Sequence, residues 1–193
     1  MPQTNDMHPL EEQIEQELRS LEAAFKRNSK KPLSVPTQLD SVPTHLDREV
    51  VWEIPSSSNV LYMSTRHEST TYPYITYVDT ENFYYHWLRS RLSSLDGHCV
   101  PRSQMPDDDK YQYAIEGFAD GRSNPVPLAI VNAKNWEGTP HISFTDGITR
   151  TFFLIAHRVE TFPVCTASVE SAKNLFNWVG IGEKFFELQE LTC

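Results

Sequence analysis

Basic charge is scarce in this chain, and so are cysteine, glycine and long apolar runs. Seventeen Lys and Arg face 26 Asp and Glu, a net charge of −9 at neutral pH over 193 residues. From residue 49 onward the balance is 11 against 18, so most of the acid excess lies in the globular part. Non-specific nucleic-acid binding depends on neutralising phosphates. Broad coating of DNA is therefore excluded, and a DNA contact has to come from a local basic patch, a metal ion or a partner protein. The three cysteines, Cys99, Cys165 and Cys193, are odd in number and far apart, with no CxxC pair and no Cys/His cluster. That argues against a structural zinc site and against a secreted disulfide framework. No apolar run approaches the ~20 residues a membrane span needs. Met1 to Glu12 is polar and acidic, without the apolar core of a signal peptide. A cytoplasmic protein with no membrane insertion is the expectation. A Walker loop and a G-x-G-x-x-G fingerprint are both missing.

What is present supports a real core: 39% of the residues are apolar and 11% of the chain is aromatic. Residues 1–48 divide from the rest. Leu10, Ile14, Leu18, Leu21 and Phe25 recur at spacings of three and four, which predicts an amphipathic helix over residues 9–27. It either packs on its own domain or a second copy, or docks on a partner. Pro32, Pro36 and Pro43 among Ser, Thr and Gln then predict a linker over 28–48. Residues 49–193 read as one mixed α/β domain. A hairpin is expected from Val50–Ile54 and Val60–Met63, and a strand at Tyr74–Val78. Asp79 or Thr80 caps a helix with Phe83, Trp87 and Leu88 on one face. A long loop over Ser93–Asp109 leads to a helix marked by Tyr111, Ile115 and Phe118. Strands follow at Val126–Val131 and Ile142–Thr145, then a helix to about His157, a strand at Phe162–Cys165, and a helix capped by Ser168.

The stretch from Phe144 to Arg150 carries the most chemistry. It predicts a strand, an Asp146-Gly147 turn and a helix start bearing Thr149, Arg150 and Thr151. The first N–H groups of a helix lack intrahelical partners and the dipole is positive there, so such starts bind anions. A glycine lets a phosphate approach, and an arginine early in a helix opposes the dipole unless an anion is present. The same residues also make an ordinary turn and cap. Asp146 can orient water or metal, or simply fix the turn. Asp107-Asp108-Asp109 can bind a divalent cation or face water and cap the next helix. Lys134, in Asn132-Ala133-Lys134-Asn135, can reach a phosphate or sit in a solvated turn. Phe83, Tyr84, Tyr85 and Trp87 can stack on bases, or at helical spacing fill a core. His86, His98, His141 and His157 are scattered, with no triad or zinc spacing.

Phe144-Thr145-Asp146-Gly147-Ile148-Thr149-Arg150-Thr151, then an apolar helix, His157-Arg158-Val159 and Phe162-Pro163-Val164, resembles the D-G-x-x-R-T…G-x-x-x-I-P-V signature of the plasmid fertility inhibition factors, the Osa-like oncogenic suppression group. Tyr77-Val78-Asp79 with Phe83 and Trp87 fits the same family's strand-then-helix entry. The resemblance spans roughly residues 50–180. It implies a compact ParB/sulfiredoxin-like α/β domain behind the N-terminal extension. It implies a nucleotide, ATP or another, at Gly147, Thr149 and Arg150; the element's own chemistry adds Thr145 and Thr151 as phosphate-binding candidates and makes Asp146 and Arg150 the candidate catalytic pair. It further implies ATPase and DNase activity and a block of conjugative or T-DNA export at the coupling protein of a type IV secretion channel; such hydrolysis would call for a divalent metal, Mg2+, and the acidic balance restricts DNA to local contact. Ile148 stands where sulfiredoxins carry cysteine, which removes their chemistry unless a distant cysteine substitutes. The single arginine and the lack of a helix-turn-helix argue against a partition clamp.

Overall fold

The structure is a computed structural model that describes residues 9–27, 32–57, 59–92 and 98–191. Helix α1 (Pro9–Arg27) forms where the apolar stripe predicts it. Its Ile14, Leu18 and Leu21 are buried against α2 (Thr80–Leu92). The stripe therefore meets its own domain. Asp79 caps α2 by accepting from the N–H groups of Glu81 (2.9 Å) and Asn82 (3.1 Å), so two of the helix's orphan donors are satisfied.

The segment read as a linker does structural work instead. Within it, β1 (Thr37–Gln38) pairs antiparallel with β2 (Glu49–Pro55), and residues 44–46 form a 3-10 turn that buries Leu46. The Thr161 hydroxyl also donates to the Ser34 carbonyl. Low local hydrophobicity did not keep this stretch off the fold, because its backbone supplies the ladder.

Two mixed sheets follow. In the smaller, β1, β2, β3 (Val60–Arg66) and β5 (Val126–Pro127) lie in that order, with β3 and β5 parallel. In the larger the order is β7 (Thr139–Asp146), β6 (Ala129–Trp136), β8 (Thr161–Thr166), β4 (Tyr74–Asp79), β9 (Phe186–Glu187). The chain passes from one sheet to the other at Leu128, between β5 and β6. The strand expected at Val126–Val131 is thus two strands, and β6 runs on through Lys134. The turn expected near Lys134 lies at Glu137 and Gly138, both with positive φ (48° and 83°), as a two-residue hairpin requires. Strand β8 is buried throughout. It tolerates Pro163 because β6 pairs with it only at Val164 and Cys165.

Helices α2 and α5 (Val169–Val179) lie against the larger sheet, and α4 (Ile148–Ala156) packs on α3 (Tyr111–Ala119) and on a 3-10 segment at Arg102–Asp107. That segment shortens the expected loop; residues 93–97 of the loop lie outside the described residues. Ser168 caps α5 as expected, accepting from the Ser171 N–H (3.2 Å). The sheets are tied through the core, where the Trp52 indole N–H of β2 donates to the Tyr77 hydroxyl of β4 (2.9 Å). Burial pushes the Tyr77 phenol above its ordinary pKa.

Candidate functional site

The Asp-Gly element folds as the sequence predicts: β7 ends at Asp146, Gly147 turns with φ +96°, and α4 begins at Ile148. Gly147 has a second duty. A Cβ there would lie 2.7 Å from the Ala129 Cα, so only glycine lets this turn press onto the start of β6.

Arg150 then reaches back across the turn. Its Nη1 donates to the carbonyls of Pro127 (2.8 Å) and Leu128 (3.3 Å), and its Nη2 donates to Asp146 Oδ2 (2.6 Å). The guanidinium side chain is only 16% exposed, against 61% for Asp146. The planar fork is thus directed at the sheet-to-sheet crossover, and Asp146 holds it there. Thr151 is fully buried and its hydroxyl donates to the Gly147 carbonyl (2.9 Å). Thr149 donates to Asp108 Oδ1 (3.1 Å), and Thr145 accepts from Asn132 Nδ2 (3.1 Å). Each candidate side chain of the element therefore has a partner within the fold.

Asp108, from the acidic triplet, is the residue that comes to the α4 start. Its Oδ1 also accepts from the Lys110 N–H (3.0 Å). A carboxylate consequently occupies ground beside a helix N-terminus where an anion is favoured. Asp108, Asp109, Lys110, His98 and Thr145–Arg150 enclose an open cleft of about 420 Å³. Among the described residues, no group of three or more His, Cys, Asp or Glu is arranged to hold a metal ion. The carboxylates nearest the element are already engaged, Asp108 by Thr149 and Asp146 by Arg150.

Several sequence candidates fall elsewhere. Phe83, Tyr84 and Trp87 are fully buried, with Trp87 4.4 Å from Phe144 and 5.2 Å from Phe152 between ring centroids. They are core, and a base-stacking platform is not available from them. Tyr85 donates its hydroxyl to Glu22 of α1 (2.7 Å). His157 stacks on Phe153 at 4.0 Å and donates from Nδ1 to the Phe153 carbonyl (2.9 Å) at the end of α4. Lys134 is exposed on β6. Among the described residues, Cys165 is the cysteine within electrostatic reach of Arg150 and Asp146, but burial pushes its thiol up to about 12. It does not restore the nucleophile that Ile148 replaces.

Sequence reasoning missed a second cleft, of about 590 Å³, on the other side of Asp146 where the two sheets diverge. Its walls come from the end of β3, residues 68–72 and the segment 124–130. These residues are far apart in the chain and carry no motif.

A mixed α/β fold built on two mixed sheets is a structural class with a solved member. The crystal structure of an oncogenic suppression activity protein, described as a plasmid fertility inhibition factor and studied as a gold(I) cyanide derivative, matches with a TM-score of 0.82 and 31% identity, over 93% of this chain and 92% of that one. A family model for plasmid fertility inhibition factors matches residues 75–180. Protein osa of Shigella flexneri is 34% identical over 166 residues, 86% of this chain and 85% of that relative. The chain belongs to the plasmid fertility inhibition factor family. Among the described residues no helix is long and apolar enough to cross a membrane.

Proposed function

We propose that the protein lowers conjugative or T-DNA transfer through a type IV secretion system by docking on the transfer machinery, with the coupling protein as its partner. Family membership supports transfer inhibition as the outcome. The observation that favours docking is the state of Arg150: its guanidinium is spent on two backbone carbonyls and one carboxylate. An arginine so engaged is poorly placed to receive a phosphate. An acidic surface, with the chain at −9, suits a basic partner face.

A second reading is an ATPase or DNase at the α4 start, with DNA touched only locally. The open cleft beside Thr145–Arg150 and Lys110 favours it. The carboxylates there, Asp108 held by Thr149 and Asp146 by Arg150, do not fit a ready-made Mg2+ site.

The test uses Lys110→Ala and Asp146→Asn. Lys110 is exposed, and Asp146→Asn leaves both carbonyl acceptors of Arg150 in place. Docking predicts that both variants still suppress transfer in donor cells and still retain the coupling protein in a pull-down. Magnesium-dependent ATP or DNA hydrolysis that disappears in both variants together with suppression would overturn docking in favour of the enzyme.

A further inference from the structure

We propose that the cleft between the two sheets is a binding site for a small zwitterion, of the amino-acid class, distinct from the α4 start. At about 590 Å³ it falls within the size range of small-molecule pockets. Its floor includes Leu128 and Cys165, both buried, which suits an apolar group. Its rim carries charges of both signs. Arg66 and Glu68 line it, and among the described residues neither forms an ion pair. Glu49 and Asp146 also face it, each already engaged, Glu49 Oε2 by the Ser64 hydroxyl and Asp146 Oδ2 by Arg150. Tyr72 adds an aromatic wall.

The charge pattern selects the ligand. A phosphate or other anion that reaches Arg66 is brought beside Glu49 and Glu68. A simple cation that reaches the glutamates meets Arg66. A molecule with a carboxylate at one end, an ammonium beside it and an apolar side chain satisfies both walls and the floor. Unpaired opposite charges across an open cleft gain little from each other in water, and more from a ligand that excludes it. The crossover clamped by Arg150 forms the back of this cleft, because Pro127 and Leu128 are lining residues and also its hydrogen-bond acceptors. The site is independent of how transfer is inhibited.

The experiment is titration of the full chain by amide NMR with L-phenylalanine, with phenethylamine and 3-phenylpropionate as single-charge analogues, and with ATP. Perturbations confined to Ser69, Tyr72, Asn124 and Ile130 are expected. The amino acid is expected to bind about tenfold more tightly than either analogue, as one charge-assisted hydrogen bond allows. Glu68→Gln should remove the preference over phenylpropionate, and Arg66→Gln the preference over phenethylamine. Both positions are exposed, so the fold tolerates the changes. Equal affinity for all three aromatic compounds, no perturbation of these amides, or their perturbation by ATP alone would each overturn the proposal.

Discussion

Removing the Arg150 side chain takes away the partner of the Leu128 carbonyl, on a buried residue, while the Pro127 carbonyl and the 61% exposed Asp146 carboxylate return to water. One buried carbonyl left unpaired costs more than its hydrogen bond contributed, and the screened ion pair adds little, so Arg150→Ala is expected to destabilise the protein by about 1–2 kcal/mol. Arg150→Lys recovers only part of this, because an ammonium lacks the fork that serves three acceptors. Gly147→Ala combines a positive φ with a Cβ pressed onto Ala129, at a cost of about 3 kcal/mol. Urea-denaturation midpoints at constant m-value check all three. Loss of transfer inhibition in Arg150→Ala would therefore need a folded-fraction control before it could speak about phosphate. His86 sets a pH dependence at the same scale. Burial lowers its pKa from 6.5 to about 4, with Arg89 adding to the shift. The folded state thus prefers the neutral ring. Its stabilising share is present above pH 6.5 and is lost as pH falls towards 4, discounted for partial exposure to about 2 kcal/mol. His86→Phe should flatten stability over that window; an unchanged slope would assign the acid sensitivity to other groups.

Secondary-structure elements here satisfy one another's orphan groups through helix side chains. β6 leaves β8 after Ile130, and farther along the Ala133 N–H donates to the Ser171 hydroxyl (2.8 Å) while its carbonyl accepts from Asn174 Nδ2 (3.1 Å), both on α5. On β7, the Ile142 N–H donates to the Ser90 hydroxyl of α2 (3.0 Å). Ser171→Ala should cost about 1–2 kcal/mol by leaving a buried N–H unpaired, and should speed hydrogen exchange at Ala133 ahead of its neighbours. Uniform exchange across β6 would mean that α5 does not hold the strand. Such contacts mark the limit of what the sequence shows. The α1 stripe, the Asp79 and Ser168 caps and the Asp146-Gly147 turn were legible because each rests on local spacing or local chemistry. The splitting of residues 126–136 between two sheets was not, because it depends on pairing with β3, β7 and β8. The acceptors of Arg150 are backbone carbonyls 22 and 23 residues away, which no residue type announces. The aromatic set of α2 was ambiguous for a different reason: helical spacing fits a core and a stacking surface equally, and only burial separates them.

At the scale of the whole molecule, the relation between the two sheets decides the shape of both clefts. Two clamps fix it from different places: Arg150 at the crossover, and the Trp52–Tyr77 hydrogen bond inside the core. The second can be dissected because its two ends fail differently. Trp52→Phe removes the donor and some packing volume, and leaves a hydroxyl that can turn elsewhere. Tyr77→Phe keeps nearly all the volume but leaves the indole N–H, on a residue with no exposed surface, without an acceptor. The tyrosine change is therefore expected to cost about 2 kcal/mol despite deleting a single oxygen, as an unsatisfied buried donor does. The double variant should cost less than the sum of the two singles, with a coupling of about 1 kcal/mol, measured by a double-mutant cycle in urea. Strict additivity would mean that the Trp52–Tyr77 hydrogen bond adds nothing to what holds the sheets together. In that case the Arg150 clamp would be the polar contact setting the cleft, and Arg150→Lys would alter ligand perturbations at Tyr72 and Asn124 more than either core variant.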